Sequence, residues 1–330
     1  MALAFETDAA TPRARTGSSR AARLAKELAR LVFSLWCLVT TTFIMIHLVP
    51  GNPVQAALGS STPADVVAAR TQALGLDRPL LTQYTSYFSG IFHGDLGTSI
   101  LTGQPVGTTI STELPATLQL AAFAFVVTVV VSVPLGVLLA VTTRGGRLRS
   151  VESGFTGFSV LMLAVPSFLF AQALVYVFAV KLGWFPIAGR SDAASYVLPV
   201  VALAAGPAPF FARIVRAEVQ SVLDADFVRT ARSKRLPHWR ILAFDVLPNA
   251  VTSTLTLGGL LLTGLVASTV FVEQVFSWPG LGTTLVTAIQ GKDYPTVQGI
   301  VLVYGTAVLA VNFLVDLALA AVDPRPSAMR

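Results

Sequence analysis

Long apolar stretches alternate with short charged ones along this chain, on a length scale set by a bilayer rather than by a globular core. Apolar stretches occupy about 31–48, 116–141, 155–181, 196–214, 250–272 and 297–322. Each is close to the roughly 20 residues an α-helix needs to cross the hydrocarbon layer. None shows the short alternating pattern of a lipid-facing β-barrel, so the expected fold is all-α with six spans. Prolines interrupt several of them (Pro134, Pro166, Pro199, Pro207, Pro209), which lipid tolerates where neighbouring groups satisfy the released carbonyls. The first stretch follows a polar, basic segment, is too long for a signal-peptide core and lacks a small-residue cleavage site, so it is expected to remain as a helix.

Composition agrees with this medium. Hydrophobic residues make up 54% of the chain and charged residues 12%, against about 25% charged in a soluble domain. The chain therefore reads as an integral membrane protein. Charge adds orientation. Most of the 23 lysines and arginines lie before the first span, between the second and third (Arg144, Arg147, Arg149), between the fourth and fifth, and in the tail. The positive-inside rule then predicts both termini in the cytoplasm. It also accounts for the net charge of +6, so no nucleic-acid partner is expected. The single cysteine, Cys37, rules out an intramolecular disulfide, and the scattered histidines form no metal-ligand spacing. The segment 50–115 falls outside and is too short for an enzyme domain, reading as a cap with short helices near Pro63. The expected organisation is a basic segment 1–30, a membrane domain 31–322 with loops 50–115 and 217–249, and a tail 323–330.

The polar stretch 224–249, DADFVRTARSKRLPHWRILAFDVLPN, stands between two spans and is built to fold. Asp224 or Asp226 can cap a helix start. Phe227, Thr230, Ala231 and Lys234 recur at helical spacing. Pro237 stops one helix and can begin another. Two short helices meeting at an angle are expected, with Phe227, Ala231 and Leu236 as an apolar face and Arg229, Arg232 and Arg235 projecting cations at a spacing of three. Such an elbow can enter a groove on a partner.

These residues carry a family resemblance. RTARSKRLPHWRILAFDVLPNA resembles the EAA loop of ABC importer permeases, and the likeness continues through HLVPGNPVQAALG, LGLDRPLLTQY, HGDLGTSILTGQPV, ELPATLQLA, VFVEQVFSWPGLGTTLVTAIQGKDYPTVQG and NFLVDLALAAVDPR. Together, from about residue 28 to 326, they resemble the B-subunit type of the dipeptide, oligopeptide and nickel permease family. The resemblance implies the type I importer permease fold, with a coupling loop whose residues Asp226, Phe227, Arg229, Thr230, Ala231, Arg232, Lys234, Arg235, Leu236 and Pro248 receive the motion of an ATPase. Arg229, Thr230 and Ala231 match the leading EAA positions, and Leu247 and Pro248 the closing Leu-Pro. Arg235 departs from the family, standing where glycine is usual, and Pro237 is expected to supply the bend in its place. Glu273, Trp278, Pro279 and Gly280 match residues expected to shape an outer gate.

The resemblance further implies a heterodimer with a homologous permease, two cytosolic ABC ATPase subunits that bind ATP and Mg, an extracytoplasmic solute-binding protein, and residence in a bacterial cytoplasmic membrane. No G-x-x-x-x-G-K-[ST] phosphate loop occurs in the chain, so ATP hydrolysis is assigned to the partners and no cofactor to this subunit. On sequence physics alone a secondary transporter is the rival, since interrupted spans occur there too. An intramembrane enzyme lacks its motifs. Single residues carry smaller expectations: helix pairing for Asp316, an interfacial position for Glu218, interfacial packing for His47, and close helix approach at Gly258, Gly259 and Gly264.

Overall fold

The structure, a computed structural model, describes residues 20–48, 51–146 and 148–322. The basic residues before position 20, the tail from 323, and the side chain of Asp316 lie outside what it describes. Every apolar stretch expected to span is helical. Helix α1 covers Arg20–His47, and three short helices, α2 (Pro53–Leu58), α3 (Ala64–Ala73) and α4 (Leu80–Phe92), build the loop that follows. Helix α5, Val106–Thr142, has 37 residues, about 55 Å at 1.5 Å per residue. It continues through Pro115 and Pro134.

The third and fourth stretches are broken rather than straight, at two of the prolines expected to interrupt them. Helices α6 (Arg149–Ala164) and α7 (Ser167–Leu174, prolonged by a π-helical segment Val175–Lys181) meet at 95°. Pro166 causes this break: it has no N–H to donate and forces Val165 into an extended conformation (ψ 119°). Helices α8 (Val197–Ala204) and α9 (Pro207–Leu223) follow a short 3-10 turn, Ala193–Tyr196, and are bent by 55° at Ala205-Gly206. Then come α10 (Asp226–Ser233), a single turn α11 (His238–Arg240), π-helical Ile241–Val246, α12 (Leu247–Val275), α13 (Leu281–Gln290) and α14 (Tyr294–Val322). The α1, α5 and α14 regions are long and apolar enough to cross a membrane as single helices.

Helix α5 is the post around which α8, α9, α12, α13 and α14 gather. Its closest approach is to α9, where a Cβ on Gly136 would lie 2.7 Å from both Ala212 O and Val215 Cβ. The expectation placed such an approach on α12. There, no described atom of this chain lies within 4 Å of a Cβ built on Gly258 or Gly264. Among the described residues, close helix approach occurs at Gly136 of α5 and at Gly299 and Gly305 of α14, which face Val106 and Leu38.

The loop 51–105 has a small core of its own, Val54, Val67 and Ile100. Asn52 caps α2 by accepting the Val54 N–H at 2.9 Å, while α3 begins directly after Pro63 with no side-chain cap. Among the described residues, contacts with α1 and with the root of α14 hold this loop to the bundle. Along α1, Thr40 meets the Tyr84 hydroxyl at 3.0 Å and His47 Nε2 lies 3.1 Å from Gln83 Oε1. At the root of α14, the buried Asp293 carboxylate accepts Ser99 Oγ at 2.5 Å, the Ile100 N–H at 2.9 Å and Thr296 Oγ1 at 2.8 Å.

Candidate functional site

The elbow between α9 and α12 is two-faced. Val228 and Ala231 on α10 are buried with Val219, Leu223, Ile241 and Val246 of the same chain, and Leu236 packs partly buried against that cluster. This corrects the expected apolar face: Ala231 and Leu236 point into their own protein. What α10 turns outward is Phe227, 47% exposed, with Arg229, Thr230 and Lys234. The next turn adds Trp239, 66% exposed and edge-on to the exposed Phe244 with ring centroids 6.4 Å apart. Arg229 reaches Asp226 at 3.4 Å, with both side chains in solvent, a pairing of little energetic weight. Arg232 is half-buried, and its Nε has no partner among the described residues. Pro248 sits in the first turn of α12, which continues directly from the π-helical Ile241–Val246.

The bend falls two positions earlier than expected. Helix α10 ends at Ser233, and Arg235 takes the left-handed conformation (φ 55°) while donating its N–H to Arg232 O at 2.9 Å. That conformation costs a side chain about 1–2 kcal/mol and is glycine's usual place at a helix end. Arg235 therefore performs the turn for which the resembling family uses glycine. Pro237, extended at φ −65° and ψ 143°, then opens α11, so reversal and restart are divided between two residues.

Charge fixes the elbow's root. Arg144 NH2, in the turn after α5, bonds Asp224 Oδ1 at 2.5 Å and Leu223 O at 3.2 Å. Asp224 is thus an ion-pair partner; the position before α10 is Ala225, without a side-chain cap. Arg216 on α9 pairs with Glu152 of α6 at 2.6 Å and donates to Thr143 Oγ1 at 3.0 Å. Sequence reading used Arg144 and Arg216 only as topology markers. The acids they bind lie 80 and 64 positions away along the sequence, and no local pattern pairs them.

At the opposite end of α12 the residues expected to shape a gate form a closed knot. Glu273 and Trp278 are each 0% exposed. Glu273 Oε2 accepts the Gly282 N–H at 2.7 Å, Trp278 Nε1 donates to Ala116 O at 3.3 Å, and the Leu281 N–H donates to Thr117 Oγ1 at 2.9 Å. A Cβ on Gly280 would lie 2.6 Å from Glu273 Oε2 and 2.7 Å from Thr117 Oγ1. Only glycine fits there, and Gly280 is buried while Pro279 faces out. The knot welds the α12–α13 turn to α5. Over its outer side lies Arg190, whose Nε donates to the Tyr196 hydroxyl and NH2 to Gln119 Oε1, both at 2.6 Å.

Between these ends the two helix breaks face one another. A cavity of about 200 Å³ is lined by Met162, Val165, Pro166, Ser167, Leu203, Ala205, Gly206 and Ser268, among others. Pro166, Pro207 and Pro209 cannot donate to the carbonyls of Met162, Leu203 and Ala205 four residues before them. Non-helical backbone at membrane depth is tolerated where it borders a cavity of this kind.

Comparison with known proteins accounts for the architecture. Residues 132–328 match the family described as binding-protein-dependent transport system inner membrane component, and residues 23–121 match its N-terminal domain. A Brucella abortus (strain 2308) protein with the provisional name peptide transport system permease protein is 35% identical over 312 residues, covering 92% of this chain and 98% of its own. The glutathione transport system permease protein GsiC of Escherichia coli (strain K12) is 33% identical over 299 residues, covering 91% and 96%. A chain of the MetNI methionine ABC transporter, in an inward-facing conformation, shares the fold at a TM-score of 0.56 and 20% identity, covering 65% of this chain and 96% of that one. This chain belongs to the binding-protein-dependent transport system inner membrane component family: it is a membrane-embedded, non-catalytic permease subunit of an ABC importer.

Proposed function

We propose that this subunit carries peptides, or a closely related small solute, and that the elbow at 226–248 is where ATP-driven motion enters it. The observation that carries this reading is the elbow's division of labour. One face is buried in the permease through Val228 and Ala231, and the other presents Phe227, Arg229, Thr230 and Lys234. A segment held from behind and open in front is suited to transmit displacement from a docked partner. Motion of α10 would pass through the cluster with Ile241 and Val246 into α12, and through Arg144 and Arg216 into α5 and α6.

In this reading two ATPase subunits receive the elbow and bind ATP and Mg, a homologous permease completes the pathway, and a solute-binding protein delivers to the loop 50–115. The elbow and both termini face the cytoplasm, and the membrane is a bacterial cytoplasmic one. The peptide assignment rests on the names of the Brucella and glutathione relatives. Glu273, Trp278, Pro279 and Gly280 act in it as a strut beside the outer opening. The cavity between the two helix breaks, bordered by carbonyls no proline can satisfy, is a stretch of the route where a solute's N–H groups find acceptors.

Purification through a tag placed after Arg330, followed by mass spectrometry of subunits and retained ligand, tests the assembly. ATP-dependent uptake of a labelled dipeptide by the reconstituted complex tests the activity. Recovery of a functional transporter without an ATPase subunit would overturn the coupling assignment.

A further inference from the structure

We propose that Arg190 is an oxyanion-binding site at the end of the bundle away from the elbow, and that it receives the carboxylate of the incoming solute; the solute's identity as a peptide rests on the function proposed above. Three structural elements converge on this arginine. Gln119 comes from α5, Tyr196 from the turn before α8, and Trp278 from the knot after α12. Gln119 precedes the end of α5 at Thr142, next to the elbow's root, by 23 positions, about 35 Å of helix.

The guanidinium is held but not used up. Its carbon lies 5.8 Å from the centre of the Tyr196 ring and 5.9 Å from that of Trp278, and those two rings meet edge-on at 4.7 Å. Nε and one N–H of NH2 are taken by Tyr196 and Gln119. Of the five N–H donors of an arginine, three remain without a partner among the described residues. No described carboxylate pairs with it. The nearest acid in sequence, Asp192, is committed elsewhere: it accepts the Ser195 hydroxyl at 2.7 Å and the Ser195 N–H at 2.9 Å. Those bonds, the hydroxyl's first, hold its carboxyl below the usual range. Arg190 itself is exposed.

The side chain is aligned by two fixed acceptors and backed by two aromatic rings, with a planar donor edge left open. That edge matches a carboxylate, which can take two parallel N–H bonds. Because Gln119 and Tyr196 already hold the side chain in place, little conformational freedom remains to be lost on binding. The phosphate of a lipid headgroup offers the same chemistry, so the test separates the two sources.

The full chain, labelled with 5-fluorotryptophan and placed in phosphatidylcholine nanodiscs, gives fluorine resonances for Trp36, Trp184, Trp239 and Trp278. Phenylalanine variants at the first three leave Trp278 identified. Titration with N-acetylalanine should shift the Trp278 resonance saturably, while N-acetylalaninamide, the same molecule without its charge, should not. Arg190→Gln should weaken that response at least tenfold, and Arg190→Lys, which keeps the charge without the fork, by a smaller factor. Unliganded Trp36, Trp184 and Trp239 resonances that match the wild type exclude a folding defect in either variant. Equal shifts with both solutes, no shift with either, or a shift that survives Arg190→Gln would each overturn the site. A Trp278 resonance already displaced in phosphatidylglycerol discs and unresponsive to N-acetylalanine there would assign the site to lipid and overturn the solute role. If the reconstituted transporter moved no peptide while the carboxylate response persisted, the peptide assignment would fall and this site would stand.

Discussion

Gly136 and Val215 touch at a distance that leaves no room for a side chain: a Cβ on Gly136 would stand 2.7 Å from the Cβ of Val215. Helices α5 and α9 therefore pack backbone to side chain at this level, directly beside the cluster that continues into the elbow. Gly136→Val should force the helices apart and lower stability by about 1–3 kcal/mol, the usual range for an overfilled core. The expected readout is a fall of several degrees in apparent melting temperature of the detergent-purified protein. An unchanged melting temperature would mean that α5 and α9 are not in contact there.

Arg235 holds a conformation that suits glycine better. Removing the side chain relieves the left-handed penalty of about 1–2 kcal/mol, partly offset by about 0.5–1 kcal/mol of added freedom in the unfolded chain. Arg235→Gly is expected to slow amide hydrogen exchange in α10 by up to about fivefold, with uptake retained. Arg235→Pro, which removes the N–H donated to Arg232 O, should speed it. Faster exchange in the glycine variant would show that Arg235 is not strained.

Ala231→Asp should abolish uptake while the protein stays in the membrane, because it places a carboxylate among Val228, Ile241 and Val246. An unpaired charge there costs about 3 kcal/mol locally and detaches α10 from α12. Phe227→Ala, on the exposed face, should keep the exchange protection of α10 and reduce the amount of ATPase that co-purifies. If the two variants gave the same pattern, the separation into an inner and an outer face would be wrong.

The knot after α12 predicts an ordered series. Trp278→Ala removes the largest wholly buried side chain and should cost about 3–5 kcal/mol. Glu273→Ala leaves the Gly282 N–H without its acceptor and should cost about 1–3 kcal/mol. Glu273→Gln keeps an oxygen for that bond and should be the mildest of the three. Thermal denaturation in detergent ranks them, and a glutamine variant as damaged as the alanine one would mean that the charge, rather than the acceptor, holds the turn.

Asp293 joins the loop 51–105 to the start of α14 through two hydrogen bonds, from Ser99 and Ile100, while Thr296 of α14 braces the same carboxylate. Asp293→Ala should release that loop while leaving the helices intact. Protease digestion should then cut within 95–105 at least several-fold faster than in the wild type, and equal rates would show that the loop is held by other contacts.

Much of this architecture was legible before any coordinates. A helix in lipid must satisfy its own backbone, so apolar length alone gave the helical stretches, and the prolines marked where two of them break. The elbow was visible because its polar and apolar residues repeat at helical spacing: the chain stops before Pro237 and restarts after it, but the restart is a single turn that runs through a π-helical segment into α12 rather than a second short helix. The face of Ala231 was not legible, because helical spacing defines an apolar stripe without saying whether the protein or a partner covers it. At Gly258 and Gly264 no described atom of this chain comes close, for a related reason: a small residue permits close approach, but only the path of the neighbouring helix decides whether one occurs.

Sequence by itself determined the medium, the helical class, the candidate positions for breaks and the family, because these follow from composition, local backbone chemistry and the order of motifs along the chain. Tertiary structure alone decided which side of α10 is buried, that Arg144 meets Asp224, that Glu273 closes a knot with Gly282, and that Arg190 lies over Trp278 with donors to spare. Each of these is a meeting of groups in three dimensions, and most join distant segments. Such meetings depend on how helices pack and bend, which no window of neighbouring residues encodes.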